Sequence, residues 1–277
     1  MTGLVVAMDL LREAAARKWF LALGAATTLA LVVVGAALRL EVVDGALAAT
    51  RFFGNSMDGD IRAVDVALRP VFEASAYLVF YGGAAFGVIA CAGFGPSLLA
   101  PGRIEHLLSL PIRRHELLGG TLIGVIALSV IGALYGTGGL TIIMGVKTGY
   151  WSPRLVIAGL LASLSFASIY AVMLSSALFV RSAPLAGALG GILFAAGIAA
   201  GYRGELAALF EPGAGRWLFE VVTAPLPRLS TIAEAAGDLA ASRQIDLLAL
   251  ARLLAGQAVF GLAAFALGAW RFERKDF

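Results

Sequence analysis

The sequence predicts an all-α membrane protein folded as one transmembrane domain, residues 1–277, on six transmembrane helices. Two observations carry that expectation. Of the 277 residues, 60% are hydrophobic and only 14% charged, whereas soluble domains run at ~45–50% apolar and ~25% charged. The charges are also segregated: Asp, Glu, Lys and Arg are absent from residues 19–38, 74–102, 117–146, 155–180, 182–202 and 253–270. An ionisable group at the bilayer centre costs at least ~2.5–3.5 kcal/mol. Each run approaches or exceeds the ~20 residues a helix needs to cross ~30 Å of hydrocarbon. The expected spans are therefore 19–38, 75–98, 117–146, 155–180, 183–202 and 250–270.

Before the first span, Leu4, Met8, Leu11, Ala15 and Trp19 recur at helical spacing, with Asp9, Glu13 and Arg17 opposite. This predicts an amphipathic helix lying in the membrane interface, with a plain extension of span 1 as the alternative. A cleaved signal peptide fits less well, because the apolar run is long and acids precede it. Residues 39–73 show no strand alternation and contain a turn-like "GNSMDGD" (54–60), which predicts an irregular loop with short helices. The third span contains Gly136, Gly138 and Gly139 and is long enough to be tilted, broken or partly re-entrant. In the second long loop, 203–252, Thr231 and Glu234 have capping-box spacing, which predicts a short amphipathic helix on or dipping into the outer leaflet.

Orientation follows from where the cations sit. Arg12, Arg17, Lys18, Arg103, Arg113, Arg114, Arg181, Arg271, Arg274 and Lys275 flank one set of helix ends closely, whereas the other side dilutes its cations in two long loops rich in acids. The positive-inside bias acts close to helix ends, so both termini are expected in the cytoplasm.

Several chemistries are excluded or disfavoured. The single cysteine, Cys91, cannot make an intrachain disulfide or a thiolate zinc site. Catalytic pairs, metal ligands and proton relays at membrane depth need ionisable side chains there, and the spans lack them. Ser163, Ser165, Ser168, Tyr170, Ser175 and Ser176 give span 4 a polar stripe, whose first reading is helix packing and whose second is substrate contact. Cys91 and Met173 read as buried filler, and nothing points to nucleic acid. No G-x-x-x-x-G-K-[ST] motif occurs, so any uphill transport needs a nucleotide hydrolase on another chain.

One segment breaks the greasy pattern. "GRIEHLLSLPIRRHELLGG", between spans 2 and 3, places Ile104, Leu107 and Leu108 at i, i+3, i+4, followed by Pro111 and the charges Arg113, Arg114, His115 and Glu116. Two readings stand: an ordinary interfacial loop with snorkelling arginines, or a surface helix that docks a peripheral partner through apolar knobs and orienting charges.

The segment resembles the cytoplasmic loop motif of type-2 ATP-binding cassette (ABC) transporter permeases, through Leu107, Leu108, Pro111, Arg114, Glu116, Leu117, Leu118 and Gly119. The terminal "ALGAWRFERKDF" is similar to that family's usual ending, and "PRLSTIAEAA" before the last span also fits. The chain departs from the pattern at Gly120, where the family has lysine, and at Arg103 and Ile104, which replace a glycine-threonine pair. The resemblance implies a cytoplasmic coupling helix between spans 2 and 3, with Arg103, Ile104, Leu107, Leu108, Pro111, Arg113, Arg114 and Glu116 as the ATPase-coupling residues. It implies two ABC ATPase subunits that bind ATP and Mg, no cofactor in this chain, and a second permease copy, identical or related. It further implies a multi-pass protein of a prokaryotic plasma (inner) membrane, no catalytic residue or metal site, and export as the direction. The alternative function is a mechanotransmitter that relays ATPase-driven shape change to a periplasmic partner without cargo flux, as in the family's role in copper-enzyme maturation.

Overall fold

The computed structural model describes residues 2–43, 46–52, 55–57, 62–109 and 113–274, and of residues 2, 37–62, 106 and 108 the backbone alone. The chain opens with α1 (Thr2–Ala16) and, after a break at Arg17, α2 (Lys18–Ala37). Four short strands follow: β1 (Leu38–Val43), β2 (Ala46–Phe52), β3 (Asn55–Met57) and β4 (Arg62–Ala63). Next come α3 (Val64–Tyr77), a π-helical turn at Leu78–Gly82, α4 (Gly83–Cys91), α5 (Phe94–Leu98) and α6 (Arg103–Ser109). The long helices α7 (Arg114–Thr148), α8 (Pro153–Val180) and α9 (Ala183–Gly201) precede the short α10 (Arg203–Ala208), α11 (Ala214–Thr223) and α12 (Leu229–Ala240). The last is α13 (Leu247–Glu273).

Six helical stretches are long and apolar enough to cross a membrane: Lys18–Ala36, Val64–Leu98, Arg114–Thr148, Pro153–Val180, Ala183–Gly201 and Leu247–Glu273. These match the six uncharged runs in number and order. Arg103 meets Glu13 on α1 and Arg114 meets the end of α13, so both described chain ends lie at the α6 end, while the sheet and α10 to α12 are joined to the other ends of the long helices.

Two local expectations are corrected. Residues 64–73 are not loop: the second span begins at Val64, and Val64, Leu68, Phe72 and Ala76 form a buried stripe at a four-residue repeat. Asp65, Arg69 and Glu73 on the other faces, with Pro70 inside the helix, hid this start from a reading based on charge-free runs. The described residues between 38 and 63 are not irregular with short helices either. β2 is the centre of a small antiparallel sheet, pairing with β1 (Leu38 opposite Phe52), with β3 (Thr50 opposite Met57) and with β4 (Ala46 opposite Ala63). Pairing by main-chain hydrogen bonds leaves a period-two hydrophobic signal only where one face is buried, so alternation was a poor guide here. The glycines of "GNSMDGD" fall on residues 54 and 59, outside the described residues.

α8 is the hub of the bundle, packed against α3, α4, α5, α7, α9, α12 and α13. Its inward faces carry small and hydroxylated residues, and the serine hydroxyls are bonded locally or across helices, while the buried Tyr170 hydroxyl has no partner among the described residues. Ser163 donates to the Gly159 carbonyl (3.2 Å) and Ser168 to that of Ser165 (2.9 Å). Ser175 reaches across to the Ala264 carbonyl on α13 (2.7 Å). Gln257 of α13, only 4% exposed, donates from Nε2 to the Ser165 carbonyl and the Ser168 hydroxyl, both at 2.9 Å. Ser165 Oγ in turn donates to Gln257 Oε1 at 3.3 Å. The serines of the stripe are thus bonded within the bundle. α7 is continuous through its glycines, with Thr137 and Thr141 donating to the carbonyls four residues back. Its 35 residues span roughly 50 Å at 1.5 Å per residue.

α12 tucks into the bundle beside α3, α8 and α9, with Leu229, Ile232, Ala233, Ala236 and Ala240 fully buried. Its entry is welded to the end of the fifth span: Ser230 donates to the Ile198 carbonyl at 2.9 Å. A Cβ at Gly197 would lie 2.6 Å from Leu229 Cδ1 and 3.0 Å from the Pro227 carbonyl oxygen, so this close approach requires glycine. The capping-box expectation is corrected, because α12 starts at Leu229, with Arg228 as its N-cap residue. Thr231 lies inside the helix, and its hydroxyl donates to the Gly201 carbonyl.

Candidate functional site

The end of the bundle that carries α6 gathers most of the residues the sequence singled out. The chain turns at Pro101 and Gly102, whose φ of 80° lies where only glycine is unstrained, and enters α6 at Arg103. Ile104, 3% exposed, plugs the hydrophobic core, and Leu107 packs partly buried against the same core. Arg103 turns back toward α1: its Nη2 lies 2.9 Å from Glu13 Oε2 and 3.7 Å from Asp9 Oδ2. Glu13 is shared with Arg17, whose guanidinium sits 4.1 Å from the centre of the Phe94 ring on α5. Burial raises the Glu13 carboxyl pKa, but hydrogen bonds and charge from Arg103 and Arg17 outweigh it, and the pKa ends below the usual carboxylate value.

The start of α7 is braced separately. Glu116 folds back so that its Oε2 accepts the Arg113 backbone N–H at 3.1 Å, satisfying a donor that the helix start leaves open. Arg114 Nη1 donates to the carbonyls of Phe272 (3.0 Å) and Glu273 (3.3 Å), the open acceptors at the end of α13. A cation there also complements the negative end of the helix dipole. His115 Nδ1 lies 3.5 Å from Glu273 Oε1.

Of the eight residues expected to couple to an ATPase, the structure therefore brings Arg103, Ile104, Leu107, Arg113, Arg114 and Glu116 to one end of the bundle. Arg103, Ile104, Leu107, Arg114 and Glu116 have partners inside this chain, while Arg113 is exposed, as are Glu105 and His115. Leu108 lies in α6 with its side chain outside the described residues, and Pro111 lies outside them altogether. The residues that sequence reasoning missed are Asp9, Glu13 and Arg17. They were read as the water-facing side of α1, and only the four-residue spacing of Glu13 and Arg17 hinted at a pair.

α1 is a helix as expected, and it packs on α7 through a face that the sequence did not single out. Ala7, Leu10 and Ala14 are buried against α7, where a Cβ at Gly120 would come within 2.6 Å of the Gly3 carbonyl oxygen. Leu4, Met8 and Trp19 point outward, each more than half exposed. Small residues on both helices allow this contact, and the larger apolar ones are left to the surroundings.

No group of three His, Cys, Asp or Glu side chains suited to a metal ion occurs among the described residues. What the α6 end offers is mechanical: a short helix clamped by ionic and apolar contacts to α1 and the core, next to a helix start clamped to α13. The fold and this end define a helical bundle with six helices long and apolar enough for a bilayer. No family model matches the chain, and no curated protein matches it.

Proposed function

We propose that this chain is the membrane-spanning subunit of an ABC-type exporter, driven by a separate ATPase that docks at the α6 end on the cytoplasmic side. The observation that carries the reading is the bracing of Arg103, Ile104 and Arg114. A force applied there passes through Arg103 and Glu13 to α1, through Ile104 to the core, and through Arg114 to α13. A docking element that moved independently of the spans would transmit nothing, and this one is tied to them. The motif resemblance around Leu107, Arg114 and Glu116 supports the same reading. In it, two copies of the chain work with two ATPase subunits, ATP closes the ATPase pair, and the helical bodies shift relative to each other. Glu105, Arg113 and His115 supply the outward contacts that orient the partner. Both termini are cytoplasmic, and α1 rests in the interface with Leu4, Met8 and Trp19 toward lipid.

The test is pull-down from native membranes followed by ATPase assay. The wild-type chain recovers a nucleotide hydrolase, and the double substitution Glu105→Arg, Arg113→Glu loses it while the chain still elutes as an intact bundle. Recovery of equal ATPase by both proteins, or by neither, contradicts the reading. Flux in liposomes then separates an exporter from a subunit that only relays motion.

A further inference from the structure

A second charged site lies at the opposite end, between α10 and α11. There Arg203, Gly204, Ala207, Arg216 and Glu220 line a cavity of about 310 Å3, the small end of the ~300–1,000 Å3 typical of ligand sites. Two guanidiniums face one carboxylate, leaving the lining with a net positive charge. Arg216 spends its Nε on Glu220 Oε1 at 2.9 Å, and its terminal amino groups have no partner among the described residues. Arg203 likewise has no side-chain partner among them. Gly204 and Ala207 keep the wall low, and a Cβ at Gly204 would meet nothing within 4 Å.

The face of α11 turned away from the cavity is apolar. On α11, Trp217, Leu218, Val221 and Val222 fall at i, i+1, i+4, i+5 and are each close to or above half exposed, and Leu209 after α10 is 80% exposed. α10 begins directly after the fifth candidate span ends at Gly201, which sets α10 and α11 at bilayer-surface depth. A tryptophan beside aliphatics on one helix face and charged residues on the opposite face is the pattern of a helix lying in a lipid interface.

We propose that this cavity binds the phosphate of an anionic phospholipid in the leaflet at the α12 end, with α11 seated in that leaflet through Trp217, Leu218, Val221 and Val222. The guanidinium pair supplies charge-assisted donors to the phosphate oxygens. The apolar face of α11, turned toward lipid, holds the guanidinium pair at headgroup depth, where a lipid phosphate is the anion at hand. The proposal rests on the chain crossing a bilayer and not on its coupling to an ATPase.

Native mass spectrometry of the detergent-purified full chain tests it, with titrations of phosphatidylglycerol, phosphatidylcholine and inorganic phosphate. Wild type retains one phosphatidylglycerol per chain in preference to phosphatidylcholine, and millimolar phosphate does not displace it. R203Q/R216Q binds phosphatidylglycerol about ten-fold more weakly. G204L, which fills the cavity and leaves its charge intact, does the same, with gel-filtration profile and melting in phosphatidylcholine unchanged for both variants. Retention of phosphatidylglycerol by both variants at the wild-type level overturns the proposal. So does displacement by inorganic phosphate alone, which marks a free-anion site, or an equal loss of phosphatidylcholine.

Discussion

Replacing Gln257 with leucine isolates the polar lock between α8 and α13. The side chain is buried and takes part in three interhelical hydrogen bonds, two donated from Nε2 and one accepted at Oε1. Between helices in a membrane each is worth ~0.6 kcal/mol on average. Leucine keeps most of the volume, so Gln257→Leu is expected to destabilise the bundle by about 2 kcal/mol. Gln257→Ala removes the same bonds and also leaves a void, which adds about 1–2 kcal/mol. Ser168 keeps its bond to the Ser165 carbonyl in both variants, so the loss does not spread through α8. Unfolding in mixed micelles with increasing denaturing detergent, followed by tryptophan fluorescence, measures both. Leucine as stable as wild type, or alanine no worse than leucine, refutes the reasoning: in the first case the bonds contribute nothing, and in the second packing at Gln257 does not matter.

Three further outcomes follow from the α6 end. Gly120→Leu drives a side chain into the Gly3 carbonyl and Val6, so α1 must lift off α7; a cost of about 1–3 kcal/mol is expected, with faster proteolysis within residues 2–16 as the readout. The Glu13 pKa is lowered on folding, so its contribution to stability is present above the unfolded carboxyl value of ~4.3 and is lost as pH falls through the lower folded value. Glu13→Gln should therefore lower stability by about 1 kcal/mol at pH 7 and flatten the acid limb of melting against pH; a variant that tracks wild type down to pH 3 contradicts the triad. Arg114→Ala uncovers the last carbonyls of α13, and amide exchange at residues 268–274 should quicken about five-fold, equivalent to ~1 kcal/mol.

The spans were legible because the bilayer penalty for charge is large and local, so an uncharged run reports a helix without knowledge of its neighbours. The start of α3 was not, since Asp65, Arg69 and Glu73 lie on faces that only tertiary packing reveals to be outside. The packing face of α1 was not legible for a related reason: hydrophobic size picks out the outward Leu4 and Met8, whereas α7 offers Gly120 and Gly124, and close approach selects Ala7 and Ala14. At the candidate site, the composition of residues 102–120 was visible in the sequence, while the partners were not. Arg103 and Glu13 are 90 positions apart, and Arg114 and Phe272 are 158 apart, so no local pattern joins them. Gln257 escaped notice because a search for charged residues passes over an uncharged amide.

The most direct measurement is photo-crosslinking in native membranes from a reactive side chain at position 105, on the exposed face of α6. The account predicts an adduct with a nucleotide-binding subunit, labelled from the cytoplasmic side and strengthened when ATP is trapped. Labelling of that position only from the cell exterior, or adducts that contain no nucleotide-binding protein, would contradict it.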